Sequence, residues 1–212
     1  KTLDKNTYER NKETVHGEYK YVFTCMNTDK ICLFTNKGQM HTVKVMDLPL
    51  TRLRDKGVPV DNLSNFLSAQ EELLCVSSME AVKNSHIIFV TKSGMIKQVP
   101  GTEFDVIKRT IASTKLAEDD ELVLVDLCDT MDYVVLQSHD GYFLRFLKEE
   151  VPEKKKAALG VRAIKMSDKD YLEHGYLLES RMEYQIEYKE KQMILNKIKL
   201  GKRDTKGTKV RV

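Results

Sequence analysis

Three stretches of the chain repeat one pattern of apolar and polar positions. Each has an apolar run, a short polar turn ending in glycine, and a second apolar run. They are ICLFTNKGQMHTVKV (31–45), IIFVTKSGMIKQV (87–99) and YVVLQSHDGYFLRFL (133–147). In each, a polar pair (Asn36-Lys37, Lys92-Ser93, His139-Asp140) precedes a glycine (Gly38, Gly94, Gly141). Glycine reaches positive φ without a Cβ clash, which tight hairpin turns require. The flanks are rich in Val, Ile, Phe and Tyr, residues that suit a pleated, packed surface. The pattern predicts three β-hairpins. The run before each glycine is almost wholly apolar, which predicts a strand buried on both faces.

The turn glycines stand 56 and 47 residues apart. A period of this size, with strands and almost no helix, points to propeller blades. A second marker keeps step with the first: 19 residues after each turn glycine stands a small residue, Gly57, Ser113 or Gly160. A basic cluster precedes each marker: Arg52, Arg54 and Lys56; Lys108 and Arg109; Lys154, Lys155 and Lys156. After each come a short apolar strand (with Arg162 in the third copy), an acidic turn (SAQEE, AEDDE, MSDKD) and a further apolar strand (LLCV, LVLV, YLL). A fourth, degenerate copy spans 184–212, with Lys191 at the place of the turn glycine and Lys202, Arg203, Lys206 and Lys209 around Gly207. Residues 1–3 read as the tail of a strand from an earlier hairpin. One domain over 1–212 is expected, a fragment of a longer chain, all-β and propeller-like. Its antiparallel four-stranded blades number about four to five, with repeats near 1–30 (partial), 31–86, 87–132, 133–180 and 181–212.

Composition changes this picture in one respect. The net charge of +3 hides an uneven distribution: residues 189–212 hold nine Lys/Arg and two Asp/Glu, while the rest hold 26 and 30. A basic segment on a near-neutral body suits contact with a polyanion. Hydrophobic residues make up 41% and charged residues 32%, as in a soluble globular protein. No apolar run approaches a membrane span, and no signal-peptide core opens the chain. Cys25, Cys32, Cys75 and Cys128 form no C-x-x-C pair and lie in or beside apolar stretches. They read as reduced cysteines packed as small hydrophobes, with no metal site, in a cytoplasmic protein.

A repeat that carries its basic cluster at one offset distributes cations at equivalent points around a rim. Such a row can track a phosphate backbone, each neutralised phosphate releasing a counterion. No recognition helix or base-reading side-chain pair accompanies the clusters, so binding of duplex DNA is expected to be largely independent of sequence. The candidate DNA-binding residues are those of the four clusters together with Arg162 and Lys209. Against catalysis stand the scattered histidines (His16, His41, His86, His139, His174), none in a nucleophile–base motif, and glycines that lie between strands rather than before a phosphate-cradling helix. A propeller that binds acidic protein partners through the same loops is the alternative.

Several long strings resemble one known family. FTNKGQMHTVKVMDLP (34–49) with Arg52, Arg54 and Gly57, VTKSGMIKQVPGTEF (90–104) and HDGYFLRFLKEEVPEKKKAALGVRAIKM (139–166) resemble successive blades of the β-pinwheel in the A subunits of bacterial type IIA topoisomerases. KTLDKNTYERN (1–11) is similar to the strand and connection that open the first blade. The resemblance implies a non-catalytic domain beside the catalytic core of its own polypeptide, which works with an ATPase B subunit in a heterotetramer. It implies that the basic rim contacts DNA entering or leaving that core, guiding strand passage in decatenation or supercoil relaxation. It assigns no cofactor to the domain and no catalytic role to any of its tyrosines. Gyrase A subunits carry a Gln-Arg-rich, Gly-Gly-containing box just after the position of Tyr8, where this chain has NKETVHG (11–17), with one glycine and the acid Glu13. The departure favours a topoisomerase IV-type parent, with a gyrase-type wrapping domain whose box has decayed as the alternative.

Overall fold

In the computed structural model, which describes residues 1–211, the three glycine-centred patterns are antiparallel hairpins. They are β1 (Lys30–Thr35) with β2 (Gln39–Lys44), β4 (His86–Thr91) with β5 (Met95–Pro100), and β8 (Tyr133–Ser138) with β9 (Tyr142–Leu147). Gly38, Gly94 and Gly141 take φ of +70°, +92° and +83°. The first strand of each hairpin is buried on both faces over its last four or five residues. The fourth copy forms a two-stranded hairpin, β12 (Gln185–Tyr188) with β13 (Lys191–Ile194). Its turn is Lys189-Glu190, both at positive φ, rather than at Lys191: a two-residue loop with two left-handed residues matches the strand twist without glycine. Val212, the end of this copy in sequence, lies outside the described residues.

Each of the first three hairpins gains an inner and an outer strand. The sheet orders are β3-β1-β2-β6, β7-β4-β5-β10 and β11-β8-β9-β14. The inner strands are the predicted apolar ones after the acidic turns: β3 (Leu73–Ser78), β7 (Leu122–Leu127) and β11 (Leu172–Leu178). β7 lies against both β3 and β11, so these strands form the hub. The outer strands are very short: β6 (Thr110–Ala112), β10 (Val161–Arg162) and β14 (Thr208–Lys209). Each belongs by sequence to the following repeat, pairing back onto β2, β5 and β9. Each four-stranded sheet is thereby closed by its neighbour.

This exchange corrects the second sequence marker. Ser113, Ala163 and Val210 donate their amides to Gly38, Gly94 and Gly141, so they are the equivalent positions. Gly160 and Gly207 correspond to Thr110, and Ser113 falls three places out of step because the second repeat has a shorter loop.

The core sits between sheets. Cys32 and Phe34 of sheet one meet Ile87 and Phe89 of sheet two, with Phe104 edge-on to Phe34 at 5.4 Å. Ile88 and Val90 meet Val134, Leu136, Leu144 and Phe146 of sheet three. Val135 and Phe143 meet Leu195 and Tyr188 of the last copy. The free face of sheet one (Leu33, Val43) is covered by Leu48, Val60, Leu63 and Phe66 from the long loop after β2.

Three short helices interrupt the expected run of strands: α1 (Lys5–Arg10), α2 (Lys12–Glu18) and α3 (Met79–Lys83). Asp4 and Ser78 cap α1 and α3 through backbone amides of Thr7 and Ala81, as short acceptor side chains do at helix starts. Thr2 bridges Leu50 in parallel, as Gln98 bridges Glu153 and Arg145 bridges Leu200. It occupies the place of an outer hairpin strand. Cys32, Cys75 and Cys128 are buried, and burial pushes their thiols well above the usual range. Cys25 departs from the expectation and is exposed, because the segment between α2 and β1 is paired into no sheet.

Candidate nucleic-acid interface

The outer strands lie at the ends of the sheets away from the hub, and the basic clusters occupy the segments leading into the corresponding positions. In the first cluster Arg52, Arg54 and Lys56 are all exposed. Its turn is fixed by Asp55, whose carboxylate accepts from the Arg52 amide at 2.8 Å. In the second, Lys108 and Arg109 are exposed. Arg109 donates Nη2 to the Leu63 carbonyl at 3.0 Å, and its own carbonyl accepts from the Thr42 amide at 2.8 Å.

The third cluster is the most firmly anchored. Lys155 is exposed, whereas Lys154 and Lys156 are half-buried. The Lys154 amide donates to Gln98 O at 2.8 Å. The Lys156 amide donates to the Glu103 carboxylate at 3.0 Å and its Nζ to the Glu103 carbonyl at 3.2 Å.

In the fourth cluster Lys202 and Lys206 are exposed, and Lys209 follows on β14. Lys206 and Lys209 come together over the face of Tyr142, 4.8 and 5.4 Å from the ring centroid. Both ammonium groups lie over the aromatic face, a cation–π arrangement, while both residues stay exposed. Arg203 points elsewhere: its guanidinium donates to the carbonyls of Glu150 and Arg162 at 2.9 and 2.7 Å. Arg162 is paired with Asp204. That hydrogen-bonded pair holds the Asp204 carboxyl below its ordinary value and raises the guanidinium.

The thirteen residues singled out in the sequence therefore divide in two. Arg162 is ion-paired, and Arg203, Arg109 and Lys156 donate to backbone carbonyls. The Lys and Arg ion pairs among the described residues otherwise use Lys37, Lys83 and Lys92, none of which belongs to the clusters. All but Arg162 keep their charge uncompensated by a carboxylate among the described residues. Two residues that sequence reasoning passed over also shape this edge. Tyr142 follows a turn glycine, a position that reads only as strand. Lys97, inside an apolar strand, reads as an isolated polar residue. Among the described residues no helix is long and apolar enough to cross a membrane.

Comparison with known proteins agrees with this architecture. A family model described as DNA gyrase C-terminal domain, beta-propeller, matches residues 29–65, 85–129 and 132–176, one hairpin in each block and more than half of the chain. The DNA gyrase A subunit of Lawsonia intracellularis is 29% identical over 161 residues, 76% of this chain and 20% of the relative. The DNA topoisomerase 4 A subunit of Bacillus subtilis is 28% identical over 159 residues, 74% and 20% respectively. The chain spans about a fifth of the length of these relatives. Among solved structures, the C-terminal domain of DNA topoisomerase IV superposes with a TM-score of 0.78 at 25% identity, over 97% of this chain and 67% of that one. The E. coli ParC C-terminal domain shares the fold, with a TM-score of 0.71 at 17% identity over 91% and 81%. On the family match, with the sheet architecture to support it, this chain belongs to the DNA gyrase C-terminal β-propeller domains of type II topoisomerase A subunits.

Proposed function

We propose that this domain binds duplex DNA along its outer edge, without catalysis of its own or any cofactor. In that role it guides strand passage by a topoisomerase whose catalytic core and B subunit, an ATPase, are its partners in the bacterial cytoplasm. The observation that carries the reading is the placement of unpaired cations in the segments that lead to the outer strand positions of successive repeats. Such a row meets phosphates without reading bases, and the affinity it supplies is a steep function of salt. Within the family, a topoisomerase IV-type parent is favoured over a gyrase-type one. Residues 12–18, where a gyrase box would stand, form helix α2 with Glu13 in its first turn, which leaves no loop of glycines and arginines to grip DNA.

The test is a titration of linear duplexes of unrelated sequence across a salt series. We expect binding that weakens steeply with salt and hardly varies between sequences. K154A/K155A/K156A should lower the slope of log affinity against log salt by roughly 2 to 3, at about 0.9 per lost phosphate contact, with unchanged thermal unfolding. Absence of binding even at low salt would refute the proposal and favour a protein-binding role.

A further inference from the structure

The third basic loop is folded around a buried cation. Lys97, on β5, is 2% exposed. Its Nζ donates to the carbonyls of Lys155, Lys156 and Ala158 at 3.1, 2.9 and 2.7 Å, and it lies 5.6 Å from the centroid of Phe89. An ammonium has three donors and no acceptor, and here three carbonyls take all of them. A buried charge is tolerated only when so satisfied. Burial draws the pKa of Lys97 down to about 8, so the ammonium is held by this geometry against a desolvation penalty.

The arrangement crosses between repeats. Lys97 stands in the second hairpin, and the carbonyls belong to the third repeat, three residues of which are consecutive lysines. Neighbouring bonds tie the margins of the loop: Gln98 Nε2 donates to Val151 O at 2.8 Å, and Glu103 accepts from the Lys156 amide. Among the described residues Lys97 is the side chain that donates to the carbonyls of Lys155, Lys156 and Ala158. The equivalent positions three residues after the other turn glycines are His41 and Leu144, and neither fills this role. His41 binds Thr110 Oγ1 and Glu71 instead. In the third sheet the next residue, Arg145, sends a single donor to Ile198 O at 2.8 Å. The complete cradle therefore coincides with the loop of consecutive lysines.

We propose that Lys97 is a positioning residue for DNA: it gathers the carbonyls of Lys155, Lys156 and Ala158 and so fixes the loop that presents Lys154, Lys155 and Lys156 to the phosphate backbone. This rests on the DNA-binding reading above. Lys97 itself touches no nucleic acid, being buried, and acts only through the loop.

Three measurements test it on the intact chain. In K97M, which keeps the length of the stem and removes the donors, backbone amides of residues 154–160 should exchange faster with solvent, while the hub strands keep their protection. The salt slope of duplex binding should fall by roughly 1 to 3, within the range set by losing up to three phosphate contacts. Adding K154A/K155A/K156A to K97M should bring the total fall to no more than the roughly 2 to 3 of the triple variant alone. K97R retains the charge but spreads its donors over a planar fork, so it should show the same loop exchange and a reduced slope; it replaces K97M if that variant fails to fold. Unchanged loop exchange in a folded Lys97 variant overturns the proposal. So does a loosened loop with the parent's slope, where the triple lysine variant lowers it. A triple variant without effect on the slope instead refutes the DNA role of the loop itself.

Discussion

At the scale of single residues, the glycines that announce the repeat differ from those on which packing depends. Gly101 follows β5, and a Cβ there would lie 1.6 Å from the Val82 carbonyl of α3. The Gly101 amide donates to Ser85 O at 2.7 Å, so the helix and the strand end are pressed together with no room for a side chain. Gly17, in α2, has nothing within 4 Å of an added Cβ. We expect Gly101→Ala to lose about 3 kcal/mol or more, the range of a forced backbone shift in a core. Gly17→Ala should gain about 0.5 to 1 kcal/mol through helix propensity. Urea unfolding of both variants checks the pair; equal effects would contradict the packing described for α3. Sequence alone distinguishes neither, since both glycines stand outside the repeated turns. The turn glycines were legible because each sits between two apolar runs. Lys97 was not, because its partners are backbone carbonyls some 60 residues away, and carbonyls leave no trace in side-chain pattern.

At the scale of elements, the hairpins and hub strands followed directly from runs of β-branched and aromatic residues. Of the short strands expected after the small-residue markers, the third is β10, whereas β6 lies before Ser113 and no strand follows Gly57 directly. The outer strands are two or three residues long, too short to show a period of two, so their bounds and their pairing with the previous repeat are a matter of topology. The basic clusters were readable as clusters, while the pairing of Arg162 with Asp204 and the inward turn of Arg203 depend on that same exchange. His86, at the start of β4, is another link between repeats that pattern does not reveal. Its Nδ1 lies 2.9 Å from Asp129 and its Nε2 2.9 Å from Glu153, just before the third basic cluster. Burial disfavours the charged ring, but the hydrogen bonds to Asp129 and Glu153 outweigh it and raise the pKa above 6.5. The link therefore contributes fully below about pH 6.5 and is lost as pH rises through the raised value. The difference in melting temperature between the parent and His86→Gln should be largest in mildly acidic buffer and shrink as pH rises through the raised value. A difference constant with pH would show that the imidazole does not carry the charge.

At the scale of the whole molecule, closure by the next repeat makes the sheets interdependent. A row of independent blades would let one sheet melt while others persist, as in linear repeat proteins. Here sheet two lacks its outer strand unless the third repeat is folded, and sheet three needs Thr208 and Lys209 of the last copy against Phe143 and Tyr142. The chain should accordingly unfold in one transition, with circular dichroism and aromatic fluorescence superimposing. Deleting residues 201–212 sharpens the test. It removes β14, the Gly201 amide bond to Arg145 O at 2.7 Å and the Val210 amide bond to Gly141 O at 3.0 Å, and it uncovers the edge of β9. The truncated chain should melt about 5 °C or more below the parent, at the roughly 2–4 °C per kcal/mol expected for this size. It should also self-associate through the exposed edge, as unpaired strands do. Loss of Lys202, Lys206 and Lys209 should weaken DNA binding at the same time, but that loss alone, as in K202A/K206A/K209A, should leave melting clearly closer to the parent than the truncation does, since each exposed surface change seldom exceeds about 0.5 kcal/mol. If the truncated chain melts with the parent, β14 closes nothing and the repeats are energetically separate. If it melts early while the triple variant does not, the strand that carries the last cations to the outer edge is also the strand that closes the third sheet, so DNA contact and fold closure reside in the same few residues.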